Sequence, residues 1–133
     1  MSSSFSTPEV PVSWGELVDK ITILEIKTDR IKSPHALSNI RLELDLLNEI
    51  TANVFLLRPE ILSMKLELTA VNESLWEVED KIREKESHQD FGDEFIALAR
   101  AVYQTNDRRA AIKKEINIIL QSKLVEEKSY WSS

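Results

Sequence analysis

The 133-residue sequence contains no cysteine, which excludes disulfide bonds, thiolate metal sites and thiol nucleophiles. It has only two glycines, so it carries no glycine-rich phosphate-binding loop of the P-loop or dinucleotide type. Its two histidines, His35 and His88, lack the Glu-x-x-His and His-Glu-x-x-His spacings of helical metal sites. We therefore expect neither a metal nor a cofactor.

Basic residues are outnumbered, since 17 Lys and Arg stand against 23 Asp and Glu and give a formal charge of -6. Nucleic-acid binding requires a basic surface that releases counterions from phosphates, so DNA and RNA are not expected partners. No apolar run approaches the roughly 18 residues that a membrane-spanning helix needs, and the first residues have no secretory-signal pattern. These features predict a cytoplasmic protein without a membrane span.

The pattern that is present is helical. Apolar residues recur at alternating spacings of three and four, and no segment alternates with the period of two that a strand requires. The sequence predicts an all-α protein, an elongated antiparallel bundle of about four helices with breaks at Pro34, Pro59 and Asp90. The predicted helices span about 13–32, 34–57, 59–87 and 91–122, in one domain over 13–133 that follows a flexible lead-in over 1–12.

Two arrangements of these helices fit the pattern. Ser13 and Glu16 form a capping box that starts helix 1, and the apolar face of helix 2 is widened by Leu42, Leu46 and Ile50. One arrangement is an up-down-up-down bundle in which the ends of the longer helices project. The other is a pair of long hairpins that complete their core only in a dimer.

One polar constellation is denser than a bundle requires, and it is divided between segments 14–20 and 106–114. If helices 1 and 4 pack antiparallel with Ile31 near Phe91, equal rise along each helix brings Leu17 opposite about Asn106 and Trp14 opposite about Arg109. The two segments would then converge at one end of the bundle. The candidate binding residues are Glu16, Asp19, Lys20, Asn106, Arg109 and Lys113.

Arg109 is the residue on which this hypothesis depends, because it interrupts an otherwise apolar stripe of helix 4. A buried arginine needs a counter-charge, which either Glu16 or Asp19 supplies internally or a bound anion supplies. With Asn106 and Lys113, its fork could hold a carboxylate, a phosphate or a sugar nucleotide. We favour the internal ion pair, and we assign no catalytic residue.

Several strings, taken in order from about Val10 to Tyr130, resemble a bacterial and phage family of small helical proteins of unknown function. They are VPVSWGELVDKITILEIK, LWEVEDKIREKE, DFGDEFIALARAVYQTNDRRAAIKKEIN and LVEEKSY. The resemblance implies no assigned activity, and relatives of this type look to be associated with cell-surface polysaccharide genes and glycosyltransferases. The architecture is also similar to that of the helical chorismate mutases, which surround a dicarboxylate with charged side chains from several helices.

The sequence therefore predicts a non-catalytic interaction or oligomerisation module, most simply a homodimer that can also take a protein partner. The alternative is a bundle that binds a small anion, or a helical-bundle enzyme, with its site between helix 1 and helix 4.

Overall fold

A computed structural model describes residues 5–124 and residue 127. Over that part of the chain the protein is all-α and contains no strand, which confirms the predicted fold class. Its helices are α1 (Trp14–Arg30), α2 (Pro34–Leu57), α3 (Pro59–Ser87) and α4 (Asp93–Ile119). The predicted bounds of α2 and α3 are confirmed, whereas α1 and α4 are shorter than predicted.

The helix starts follow the local chemistry. The Ser13 hydroxyl accepts a hydrogen bond from the backbone N–H of Glu16 at 3.1 Å, and the Ser33 hydroxyl accepts one from Ala36 at 3.4 Å. Each serine thereby satisfies a backbone donor that the first helical turn leaves open. Helix α1 ends before residue 32 because Ile31 already has extended backbone geometry, with ψ at 134°.

Helix α4 begins two residues later and ends three residues earlier than the predicted range of about 91–122. Asp90 does not cap the helix; its side chain accepts a hydrogen bond from the Gly92 N–H at 3.3 Å, and Gly92 itself occupies the N-cap position. At the other end Gln121 adopts a φ of 53°, and the N–H of Ser122 bonds back to the carbonyl of Asn117 at 2.8 Å. A left-handed residue of this kind ends a helix, so α4 stops at Ile119.

Helices α1 and α3 each pack against all of the other three helices. Helices α3 and α4 form the most extensive pair, and α2 contacts α1 and α3 without contacting α4. The core cluster consists of apolar side chains from α1, α3 and α4, namely Val18, Ile61, Leu68, Val71, Leu75, Ile112 and Ile116. Helix α2 therefore lies against the outside of a three-helix core.

Helix α2 is consequently exposed. Of its 24 residues only Thr51 is buried. Leu42, Leu46 and Ile50, which widen the apolar face in the sequence pattern, are 64%, 55% and 55% exposed. Within the described part of the chain, no helix is long and apolar enough to cross a membrane.

Candidate functional site

Helices α1 and α4 run antiparallel and bring the two polar segments together. Their contacts pair Asp19 with Arg109, Glu16 with Lys113 and Gly15 with Asn117. The antiparallel packing was expected, but the predicted register is wrong, because it placed Trp14 opposite Arg109.

The structure instead joins the Trp14 N–H to the Ser122 hydroxyl at 3.1 Å, just past the C-terminal end of α4 and well beyond Arg109. The prediction counted from Ile31 and Phe91 as if they were neighbours. Pairing Asp19 with Arg109 means that the first turns of α4 extend past the end of α1, and Phe91 is 52% exposed. Two antiparallel helices of unequal length need not start level, and no residue in the sequence marks the offset.

Asp19 is the centre of the polar cluster, with only 1% of its side chain exposed. Its Oδ1 accepts hydrogen bonds from Arg109 Nε and from Asn72 Nδ2, both at 2.9 Å, and its Oδ2 accepts one from Arg109 Nη2 at 2.5 Å. The arginine fork thus grips this carboxylate with two parallel bonds, the strongest geometry available to the pair. The internal counter-charge expected for Arg109 is therefore Asp19.

Two further residues complete the network, and sequence reasoning missed both. Asn72 of α3 also donates to the Thr22 hydroxyl at 2.8 Å, and that hydroxyl donates to the Asp19 backbone carbonyl at 2.7 Å. The cluster therefore joins α1, α3 and α4 through hydrogen bonds. Asn72 adjoins the apolar stripe of α3, and a polar residue beside a core stripe was the only available signal.

Lys113 and Glu16 form the outer part of the cluster. Lys113 Nζ lies 2.7 Å from Glu16 Oε2 and 3.9 Å from Asp19 Oδ2, and only 11% of the lysine side chain is exposed. Asn106 Oδ1 accepts a long hydrogen bond from Arg109 Nη1 at 3.5 Å.

Five of the six candidate residues therefore converge, and the sixth, Lys20, does not. Lys20 instead pairs across the α1–α2 hairpin with Glu43 at 3.7 Å, and both side chains are about half exposed.

Gly15 explains how α1 and α4 approach closely enough for these contacts. Its N–H donates to Asn117 Oδ1 at 2.7 Å, and a Cβ at this position would lie 2.3 Å from the carbonyl oxygen of Lys113. No side chain fits there without moving a helix. At Gly92, by contrast, the nearest atom to an added Cβ is Asp90 Oδ1 at 3.4 Å, which is an ordinary contact.

The chemistry available to the cluster follows from its charges. Glu16 and Asp19 balance Arg109 and Lys113, and two of the arginine donors that would hold a ligand carboxylate are already bonded to Asp19. In the described residues no group of three or more His, Asp or Glu side chains could hold a metal ion. The geometry resembles an interhelical ion pair more closely than an open anion site.

A second charged group lies at the tip of the α3–α4 hairpin and is exposed. Ion pairs with Glu94 and with Asp90, the latter at 3.2 Å, raise the pKa of Lys85 above its ordinary value. The Gly92 N–H, followed by Lys85, lowers the pKa of Asp90. These groups form a solvated surface cluster.

The solvent side of α2 carries a row of exposed residues, half of them apolar, which we call the outer seam. Its residues recur at alternating spacings of four and three, all are exposed, and they are Asn39, Glu43, Leu46, Ile50, Asn53 and Leu57. Leu42 and Leu56 flank the seam and are 64% and 77% exposed. A helix that packs against another helix presents apolar residues at alternating spacings of three and four, and Leu46, Ile50 and Leu57 occupy three of these six positions.

An open groove adjoins the outer seam. One wall is the extended N-terminal segment, which includes Val10 and Val12, and another is the α2 surface at Glu43, Leu47 and Ile50. Val10 and Val12 are 72% and 52% exposed. The apolar surface of α2 is therefore continuous with a second apolar surface through Ile50.

Comparison with known proteins gives one match. Residues 8–133 match a family of unknown function, DUF6165. No curated protein and no solved structure matches the chain.

Proposed function

The chain belongs to DUF6165, a family of unknown function, and we propose that it is a non-catalytic interaction module that forms a homodimer through the outer seam of α2. One observation carries the proposal. Leu, Ile, Val and Phe make up 11 of the 24 residues of α2, yet none of the 11 is buried. Six of the 11 are half-buried within the chain, and the other five are exposed apolar side chains that a second surface would cover.

The size of the exposed surface supports a specific contact. Leu42, Leu46, Ile50, Leu56 and Leu57 are each at least 55% exposed. At roughly 100 Å² per side chain they present about 500 Å² of apolar surface, which is as large as the largest patch on a typical monomer. With the polar residues between them, the seam approaches the roughly 800 Å² per partner of a stable interface.

A second copy of the chain is the occupant that we propose. Self-association requires a face that complements itself, and the outer seam alternates leucine and isoleucine with amide and carboxylate residues along one helix. The proposal places the module in the cytoplasm. The resemblance described above supplies cell-surface polysaccharide synthesis as the setting in which to look for further partners.

For the polar cluster we propose a structural role. Asp19 has the geometry of a residue that fixes the register of α1 against α3 and α4, because its carboxylate is bonded to both helices. A buried charged pair of this kind discriminates against shifted packings, which would leave a charge unpaired. Binding of a small anion would require the ligand to compete with the Asp19 carboxylate for Arg109.

Light scattering after gel filtration tests the proposed function. We expect the wild-type protein at twice the 15.3 kDa chain mass and the Leu46→Glu/Ile50→Glu variant at the chain mass with unchanged helical circular dichroism. The matched control is Tyr103→Glu/Ile118→Glu, because these α4 residues are 57% and 66% exposed but lie off α2. A monomeric wild type, or equal dissociation of the control, would contradict the proposal.

A further inference from the structure

We infer that the two copies pair their α2 helices antiparallel, with Leu46 of each copy facing Ile50 of the other. This inference rests on the proposed homodimer and adds its orientation and register. It is carried by the order of residues along the outer seam.

The outer seam has the spacing of the core positions of a two-stranded coiled coil. Glu43, Ile50 and Leu57 are seven residues apart and occupy one class of core position, and Asn39, Leu46 and Asn53 occupy the other. Helix α2 thus has two faces with heptad spacing. The inner face includes Thr51 and packs against α1 and α3, and the outer seam faces solvent. The orientation decides which residues of the outer seam meet.

A parallel pair would place every residue opposite its own copy. Glu43 would then face Glu43, which brings two carboxylates together in one core layer. The two helix dipoles would also lie side by side in the same direction, which is unfavourable at close range. The order of the seam residues therefore disfavours a parallel dimer.

An antiparallel pair with Leu46 opposite Ile50 removes these conflicts. Leu46 of one copy packs against Ile50 of the other in two equivalent layers, one on each side of the two-fold axis. Asn53 of one copy comes opposite Glu43 of the other, where an amide N–H can donate to the carboxylate. Leu57 comes opposite Asn39, and the flanking Leu42 and Leu56 of opposite copies lie side by side.

The groove extends the same contact. Glu43, Leu47 and Ile50 form its α2 wall, and in this register they lie beside residues 46–53 of the second copy. The exposed Val10 and Val12 on the opposite wall then border the interface. The N-terminal segment would be partly covered by the second copy, which gives an extended apolar segment a packing role.

Disulfide trapping can test the orientation cleanly, because the chain has no cysteine of its own. Asn39→Cys and Leu57→Cys each change an exposed residue, so both variants should fold. In the antiparallel pair, residue 57 lies about 27 Å from its own copy at 1.5 Å per residue, far beyond the roughly 7 Å between Cα atoms that a disulfide spans. Residue 57 of one copy lies opposite residue 39 of the other.

We expect no cross-linked dimer from either variant alone under mild oxidation, and a cross-linked mixed dimer when the two variants are combined and allowed to exchange. Cross-linking of each variant with itself would indicate a parallel dimer and overturn the inference. A dimer by light scattering that cross-links in none of the three samples would overturn the register. A protein that is monomeric by light scattering would instead contradict the proposed function.

Discussion

Helices α1 and α2 are neighbours in the same hairpin, yet they differ in how many of their residues they bury. Helix α1 buries 8 of its 17 residues, among them the charged Asp19 and the polar Thr22. Helix α2 buries one of 24, and that residue is a threonine. The more apolar helix is thus the more exposed one.

The difference shows what each helix contributes. The polar side chains inside α1 are fully hydrogen-bonded, because Asn72 and Arg109 bring donors to Asp19 from two other helices. The exposed apolar side chains of α2 form no hydrogen bonds that would offset their exposure. A second surface would stabilise them, because transfer of apolar surface out of water is favourable. Helix α1 therefore specifies how the chain folds, and under the proposed function α2 specifies what it associates with.

Truncating one leucine on each helix should separate these two roles most strongly. Leu24 is 2% exposed on α1, and Leu24→Ala should lower the free energy of unfolding by about 2–5 kcal/mol through the cavity it leaves. Leu46 is 55% exposed on α2, and Leu46→Ala should cost less than about 1 kcal/mol in dilute protein. Denaturant unfolding measures both values, and similar losses would contradict the contrast.

Removing the charge of Asp19 should have the next largest effect. Asp19→Asn leaves Arg109 without its buried carboxylate and should cost about 2–4 kcal/mol. The control is Asp29→Asn, which changes an exposed residue of the same helix. Because the two partners act as a unit, adding Arg109→Met to Asp19→Asn should cost less than the sum of the single changes. Full additivity would show that the pair is not coupled.

A methyl group at Gly15 should weaken the close contact between α1 and α4. The added Cβ would lie 2.3 Å from the Lys113 carbonyl oxygen, so Gly15→Ala should cost about 1–3 kcal/mol as the helices separate. Gly92→Ala is the matched control, because the nearest atom to the added Cβ there, Asp90 Oδ1, lies at an ordinary contact distance of 3.4 Å. A lower melting temperature for the first variant alone is the expected result; equal melting temperatures would exclude the steric argument.

The exposed ion pairs at the tip of the α3–α4 hairpin should have the smallest effect on stability, in contrast to the buried Asp19–Arg109 pair. The pKa of Asp90 is lowered in the folded protein, so its carboxylate stabilises the fold at pH values above its ordinary pKa of about 3.9. That stabilisation is lost as pH falls through the pKa of the folded state. Because the pKa of Lys85 is raised, its contribution is present below about 10.4 and is lost as pH rises through the folded value.

An NMR titration of Lys85 measures this effect directly. We expect the double variant Asp90→Asn/Glu94→Gln to return the lysine pKa toward its ordinary value, because both carboxylates that raise it are gone. The global melting temperature should barely change, since exposed pairs contribute little. An unchanged lysine pKa would show that these carboxylates are not its partners.

The sequence predicts the helices well because their boundaries are local. Pro34 and Pro59 mark where α2 and α3 begin, and Ser13 and Ser33 provide the side-chain oxygens that cap α1 and α2. The ends of α4 were mispredicted because the chain there turns by backbone geometry that several residues permit. Gln121 takes a positive φ with no glycine or asparagine to indicate it.

The sequence predicted which residues form the polar cluster better than it predicted how α1 and α4 are aligned. Arg109 stood out as a charge in an apolar stripe, and the expected counter-charges were Glu16, Asp19 or a bound anion. Which acid faces it depends on how far α4 extends past α1, and that offset depends on packing of the whole bundle. Lys20 lies apart from the other candidates, because proximity in sequence to Asp19 does not place it on the same side of the helix.

The dependence of the thermal unfolding midpoint on protein concentration tests the central claim most directly. If a second copy covers the outer seam, association stabilises the folded chain, so the midpoint of the wild type should rise as protein concentration increases. The Leu46→Glu/Ile50→Glu variant should then have a midpoint that is independent of concentration. A wild-type midpoint that stays constant over a hundredfold range would contradict the claim that the chain associates with itself through α2.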